Sequence, residues 1–246
     1  MNKIAIITGA GTGVGREVAI KLSNDGMIVY LIGRRSKNLE ETANECINEA
    51  IVYPLDVSDP KKVKNFFDNI DNQHKRIDLL FNNAGVGIKA QTIDQISFED
   101  WKYVIDINLN GMFLCAKYAF KLMRNQKPMG GRIINNGSIS SMTPRPGSIA
   151  YTSAKHAVLG MTKTISLDGR PFNILCSQID IGNAETPMTT KMKEGVMQAS
   201  GKTEKEPVFN AKYVAEAVSQ ISKLPLDTNV LNMTIMANNM PFVGRG

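Results

Sequence analysis

The opening of the chain constrains its fold more than any other stretch. Ile4-Ala5-Ile6-Ile7 is a short apolar run that stops at Thr8-Gly9. Glycines recur at Gly9, Gly11, Gly13 and Gly15, and Val14, Val18, Ala19 and Leu22 then follow at helical spacing up to Asp25-Gly26. An apolar run without polar alternation reads as a strand buried on both faces, the habit of parallel sheets. Parallel strands need a long crossover between them, and the helix that follows supplies one.

The same unit repeats. Further strands are expected at Met27–Ile32, Ile51–Tyr53, Ile77–Phe81, Arg132–Asn136, Phe172–Cys176 and about 229–236. Helices are expected over 36–49, 59–71, 99–125, 149–167 and 210–222, with Asp59-Pro60 as an N-cap followed by Pro at the first helical position. This alternation predicts an α/β fold: a single-domain, Rossmann-like, doubly wound parallel sheet of about seven strands with helices on both faces. No Pro/Gly/Ser-rich linker divides the chain, so residues 1–246 are expected to form one domain. Residues 182–208, rich in Met, Lys and Glu, are the least regular and are expected to form a mobile substrate flap.

Composition removes several functional classes. No run of about 18 apolar residues exists to cross a membrane, and the N-terminal apolar run is too short for a signal-peptide core. The net charge of +6 comes from scattered basic residues without a stripe or reading motif, so no nucleic-acid role is expected. Three cysteines, Cys46, Cys115 and Cys176, are widely spaced and accompanied only by His74 and His156, so no metal site is expected. A reducing, cytoplasmic setting follows from that cysteine usage.

A glycine loop between strand and helix is where a dinucleotide pyrophosphate rests on a helix N-terminus. Gly9 allows the turn, Gly13 lets phosphate approach the backbone, and Gly15 lets the helix pack on the sheet; Gly11, Thr12 and Val14 complete the loop. A plain strand-to-helix turn is the alternative. Strand two ends in Gly33-Arg34-Arg35, where NAD binders carry an acid. A guanidinium fork suits a 2′-phosphate, although a solvated basic turn would look the same. Asp56-Val57 either flanks the adenine or caps a helix.

Tyr151 and Lys155 are four apart in a helical segment and share a face. A tyrosine titrates near 10, so acid–base work near pH 7 needs about 4 kcal/mol of phenolate stabilisation. An ammonium one turn away, with a cationic nicotinamide ring, is suited to supply it. Ser138, thirteen residues before Tyr151 at a strand end, is either a partner for a substrate oxygen or an ordinary cap.

Taken together, Thr8-Gly9-x3-Gly13-x-Gly15, Asn82-Asn83-Ala84-Gly85, Asn108, Ser138, Tyr151 and Lys155 resemble the short-chain dehydrogenase/reductase family in order and spacing, from residue 1 to at least 190. The resemblance implies a catalytic tetrad of Asn108, Ser138, Tyr151 and Lys155. Tyr151 would exchange a proton with the substrate oxygen, Lys155 would lower its pKa and hold the nicotinamide ribose, Ser138 would position the carbonyl or alcohol, and Asn108 would hold a water linking Lys155 to solvent. Asn83, Ala84 and Gly85 would contact the cofactor, joined by Ile181 and Thr186. The family's Pro-Gly after strand six is replaced by Ile181-Gly182 in the run Asp180-Ile181-Gly182-Asn183-Ala184-Glu185-Thr186. That run and the tail Met240–Gly246 resemble a subgroup without a settled substrate.

The implied activity is NAD(P)-dependent interconversion of a carbonyl and an alcohol, with NADP(H) preferred and NAD(H) possible. A silent dinucleotide-binding scaffold would show a broken tetrad, and all four members are present. An isomerase or dehydratase of the same fold would need a larger substrate region. Val86, Ile88, Ser140, Met142, Pro144, Asn183, Met188 and Met192 are candidate lining residues of an adaptable apolar pocket or ordinary packing. Arg145 either pairs with an anionic substrate or faces water. A ketoacyl thioester, a small ketone, a steroid-like alcohol and a sugar all stay open. Met112, Phe113, Leu114, Tyr118, Ala119 and Leu122, with the Pro241-Phe242-Val243 tail, suggest apolar interfaces of a homotetramer or homodimer.

Overall fold

Each central apolar run is a strand because both its faces are covered. In the computed structural model, which describes residues 3–243 without the side chains of Lys191 and Lys193, β1 (Ile4–Thr8) is buried along its whole length. Ile4 and Ile6 face one core with Phe66, Phe67 and Cys115, while Ala5 and Ile7 face another with Val18, Leu22 and Val218. The strand is thus a septum between two cores, as its unalternating sequence requires.

Among the described residues, β1, β2 (Ile28–Gly33), β3 (Ala50–Pro54), β4 (Leu79–Asn82), β5 (Gly131–Asn136), β6 (Ile174–Gly182) and β7 (Asn232–Met236) form one parallel sheet in the order 3-2-1-4-5-6-7. The order reverses between β1 and β4, which opens a crevice at the carboxyl ends of these strands. The helices are α1 (Gly13–Asn24), α2 (Ser36–Ala43), α3 (Pro60–His74), α4 (Phe98–Ile105), α5 (Met112–Asn125), α6 (Ile149–Asp168), α7 (Thr190–Glu194) and α8 (Lys212–Lys223). Asp59 caps α3 by accepting from the backbone N–H groups of Lys61 and Lys62, as its position before Pro60 predicts.

Three boundaries differ from expectation for local reasons. The helix expected to reach 49 stops at Ala43, because Asn48 binds back to the end of α1 through Ser23 Oγ (2.8 Å) and Ser23 O (2.6 Å). The strand expected at Phe172–Cys176 starts at Ile174 and runs to Gly182; a 3-10 turn at Arg170–Phe172 and Asn173 at φ 52° precede it. The helix expected to run unbroken through 99–125 contains a π segment, Asp106–Gly111. There Gly111 lies against Val57, whose Cγ2 would be 2.7 Å from any Cβ on the glycine.

Within 182–208, α7 precedes Val196–Met197, which pairs with Thr203–Glu204. Ala184–Glu185 pairs with Phe209–Asn210 just beyond. Gly244, Arg245 and Gly246 of the tail lie outside the described residues.

Candidate active site

The glycine loop sits in the crevice between β1 and β4. Gly9 and Gly13 adopt φ +67° and +56°, a region open to glycine and costly for other residues. A Cβ on Gly15 would fall 2.3 Å from the carbonyl oxygen of Gly9, so only glycine lets α1 close onto the loop. Thr12 makes no side-chain cap, and no acid occupies the first turn of α1. The uncapped amide head and its positive dipole end fit a dinucleotide pyrophosphate. Asn38 packs over Gly11, and Thr186 of the 182–208 region reaches Gly13, its Cγ2 lying 2.9 Å from where a Cβ would be.

Arg34 follows Gly33 at the end of β2 and donates to Tyr103 Oη at 3.5 Å. Arg35 takes the N-cap position of α2 without a side-chain cap bond. Asp56 accepts from the Ser58 amide (3.0 Å) and hydroxyl (2.7 Å), a local turn, while Asp59 does the helix capping. Val57 is buried against the π segment.

A polar chain then crosses the sheet. Thr8 Oγ1 accepts from the amides of Asn83 (2.8 Å) and Ala84 (2.9 Å), and Asn83 Nδ2 donates to Thr8 O (2.9 Å). Asn136 Nδ2 donates to Asn83 Oδ1 (2.6 Å), and Lys155 Nζ donates to Asn136 O (2.6 Å). The ends of three strands, β1, β4 and β5, are thereby tied to one lysine of α6. Asn108, fully buried in the π segment, accepts from Val86 N (2.8 Å) and donates to Val86 O (2.9 Å), so both ends of its side chain hold the turn after Gly85.

Ser138 follows β5 after Gly137, and its extended backbone opens the 3-10 turn Ile139–Ser141. Its hydroxyl accepts from Ser140 N at 3.1 Å and acts on the neighbouring Tyr151 phenol. Lys155, one turn on and 3% exposed, places Nζ 5.5 Å from the Tyr151 ring centroid. Burial lowers the Lys155 ammonium to about 8, with the charge of Asp180 working the other way. Burial also raises the Tyr151 phenol above its ordinary value; the Ser138 hydroxyl opposes this and Asp180 adds to it. His156 is exposed and turned away, its ring against Thr152 O.

Arg145 corrects one expectation. It neither faces water nor stands free for an anionic substrate. Its guanidinium forms a bidentate pair with Glu206, NH2 to Oε2 at 2.6 Å and NH1 to Oε1. Asn183 Nδ2 (2.7 Å) and Gln198 Nε2 (2.9 Å) also donate to this carboxylate. Burial works to raise the Glu206 carboxyl, yet these bonds hold it at about 2. Of the lining candidates, Ser140 and Asn183 are buried, Val86, Ile88 and Met192 are partly buried, and Pro144, Met142 and Met188 are exposed, the two methionines at 48% and 51%. Asn136, Asp180 and Glu206 were not picked out by sequence reasoning. Only Asp180 carried a signal, an acid set between Ile179 and Ile181 in a buried strand.

An open helix head with buried Ser138 and Lys155 beside a partly buried Tyr151 defines a class, the oxidoreductases that work on a carbonyl/alcohol pair with a nicotinamide dinucleotide. Residues 3–196 match the model of the short chain dehydrogenase family, and the chain belongs to that family. It is 35% identical over 192 residues to 3beta-hydroxysteroid dehydrogenase of Mediterraneibacter gnavus, covering 77% of this chain and 68% of that protein. It is 30% identical to sulfoacetaldehyde reductase 2 of Chromohalobacter salexigens, over 96% of this chain and 94% of the relative. The crystal structure of an alcohol dehydrogenase from Thermococcus sibiricus complexed with 5-hydroxy-NADP superposes with a TM-score of 0.79, at 25% identity over 96% of each chain. The protein is therefore an NAD(P)-dependent oxidoreductase that interconverts a carbonyl and an alcohol. Among the described residues no helix is long and apolar enough to cross a membrane, and no cluster of His, Cys, Asp and Glu is placed to hold a metal.

Proposed function

We propose that Tyr151 gives a proton to the substrate oxygen in carbonyl reduction and takes one back in alcohol oxidation. The observation that carries this reading is the meeting of Ser138, Tyr151 and Lys155 beyond the end of β5, with the Lys155 ammonium one helical turn from Tyr151 and 5.5 Å from its ring, and the Ser138 hydroxyl opposing the effect of burial on the phenol. The nicotinamide, when bound, supplies or accepts the hydride. Ser138 orients the substrate oxygen. Lys155 has two further protons to donate beyond its bond to Asn136 O, which suits it to a ribose hydroxyl and the phenol. Asn108 fixes the Gly85-Val86 turn with one donor and one acceptor of its side chain, and it would hold a water that links Lys155 to solvent. Tyr151→Phe removes only the hydroxyl, so cofactor affinity should hold while kcat falls nearly to zero; retention of about a tenth or more of the activity overturns the assignment.

NADP(H) is the preferred cofactor in this reading, supported by Arg34 and Arg35 after Gly33 and by the absence of an acid there. Gly9, Gly11, Gly13, Val14, Gly15 and Thr12 cradle the pyrophosphate, with Thr186 closing over them and Ile181 beside the nicotinamide. The 182–208 region acts as the substrate flap. The substrate is uncharged where it meets Arg145, because that cation is already paired and the half-exposed Met142 and Met188 offer apolar surface. A small or bulky apolar ketone fits this, and kcat/KM across neutral and anionic carbonyls tests it; a preference for the anions overturns it.

The active form is a homodimer or homotetramer in the cytoplasm, with three free cysteines in keeping with a reducing compartment. The α5 surface contributes less to this than its sequence suggests. Met112, Ala119 and Leu122 are buried within the chain, and Leu114 and Tyr118 pack against its core. Phe113 still stands 51% exposed, and Phe98 and Tyr103 of α4 are exposed as well. A light-scattering mass near 27 kDa would exclude assembly.

A further inference from the structure

Asp180 is fully buried in β6, and four donors converge on its carboxylate. Oδ1 accepts from Ser138 N (2.9 Å), Ser141 Oγ (2.9 Å) and Gln178 Nε2 (2.7 Å). Oδ2 accepts from Asn232 Nδ2 of β7 (2.8 Å). A group receiving four hydrogen bonds and offering none behaves as an ionised carboxylate. Its negative charge has no basic side chain in hydrogen-bonding contact among the described residues. Burying a charge is costly, and these four donors are what hold it there.

The backbone is shaped to admit it. A Cβ on Gly137 would fall 2.2 Å from Asp180 Oδ1 and 2.7 Å from Gln178 Cγ. The residue directly before Ser138 is thus bare where the carboxylate presses against the chain. Ser138 N and Ser141 Oγ lie at the two ends of the 3-10 turn Ile139–Ser141, so one oxygen grips both ends of the turn that carries the serine. Lys155 Nζ sits on the carbonyl of Asn136, two residues before the Ser138 amide that Oδ1 accepts from, so the ionisable groups beside Asp180 are Lys155 and its α6 neighbour Tyr151; the side chains it touches from β6, β7 and the turn are neutral.

We propose that Asp180 is a positioning residue for this reaction: its carboxylate clamps the Ser138 turn and sets a negative charge beside the Tyr151–Lys155 pair of α6. The second part rests on Tyr151 being the proton donor. A protonated phenol is the form needed to reduce a carbonyl, and a phenolate is the form needed to oxidise an alcohol. The charge therefore biases the site toward reduction near neutral pH. The direction of the shifts at Tyr151 and Lys155 agrees, since Asp180 raises both.

The test compares kcat–pH profiles in both directions for wild type, Asp180→Asn and Asp180→Ala, with NADPH affinity followed by cofactor fluorescence. Asp180→Asn keeps an acceptor for Ser138 N and removes the charge. Its oxidation profile should rise at a pH lower by about half a unit or more, with unchanged NADPH affinity. Asp180→Ala removes the clamp as well, and its kcat should fall about tenfold or more in both directions. An Asp180→Asn profile that superposes on wild type overturns the electrostatic role. An Asp180→Ala kcat within about twofold of wild type overturns the clamp. If Asp180→Ala does not fold, Ser141→Ala tests the clamp: it removes one of the two grips and should lower kcat, and an unchanged kcat overturns it. Tyr151→Phe separates the two readings. Activity retained there defeats the proton-donor assignment, whereas an inactive Tyr151→Phe with an unmoved Asp180→Asn profile defeats only the role of Asp180.

Discussion

The cofactor end and the substrate end of this cleft are built by different means. Around β1 and β2 the site is made of backbone: left-handed glycines, an uncapped helix head, and a carbonyl where a Cβ would otherwise be. Around β5, β6 and the 182–208 region it is made of ionisable side chains taken largely out of water: Lys155, Asp180, and the Arg145–Glu206 pair. Backbone dipoles receive a charged ligand without burying a charge of their own when the ligand is away. Buried charges must be held by partners at all times, and those partners come from distant parts of the chain. The cofactor end is therefore a local construction, and the substrate end a tertiary one.

The largest expected effect lies where the two ends meet. Lys155 is tied through Asn136 and Asn83 to the glycine loop and faces Tyr151 on its own helix. Lys155→Ala should lose both cofactor affinity and turnover, with kcat/KM down about a thousandfold, or about 4 kcal/mol. Titration of NADPH fluorescence alongside steady-state rates checks this. Intact affinity with lost turnover would separate the two ends that this residue is taken to join.

The substrate end should show its dependence on buried charge as a pH effect. The Glu206 carboxyl is held at about 2, below its ordinary 4.5, so its contribution to stability is complete above 4.5 and disappears as the pH falls through 2. That interval corresponds to about 3 kcal/mol. Glu206→Gln leaves the Arg145 guanidinium without its carboxylate and should cost a similar amount at pH 7. Denaturant midpoints at pH 7 and pH 3 measure both, and a variant with the wild-type pH dependence would remove Glu206 from the account.

The cofactor end should answer to a single exposed side chain only modestly. Arg34→Ala should cut the preference for NADP(H) over NAD(H) by about ten- to a hundredfold, or 1.5–3 kcal/mol. The ratio of kcat/KM for the two cofactors is the measurement. Thr12 brings no second positive charge to the glycine loop, which keeps the expected effect at the lower end. An unchanged ratio, or equal values in the wild type, would dismiss Arg34 as the reader of the phosphate.

The contrast between the ends also explains what could be read in the chain before it folded. Short apolar runs alternating with helical segments determined the sheet and its two helical layers, because a strand buried on both faces has no polar positions to disguise it. Gly9, Gly13 and Gly15 were legible for the same reason: a missing Cβ is a local fact about one residue. Tyr151 and Lys155 could be paired because four residues of helix bring them to one face. Tertiary structure alone decided the rest. The π segment that seats Asn108 depends on Val57 and Val86, about fifty and twenty residues away. Arg145 looked available in sequence, and only the fold brings Glu206, sixty-one residues on, to occupy it. Asp180 was visible as a misplaced acid between isoleucines, but its four donors lie on β5's following turn, β6 and β7. A buried charge is tolerable only where such partners converge, and convergence is a property of packing, not of spacing along a chain.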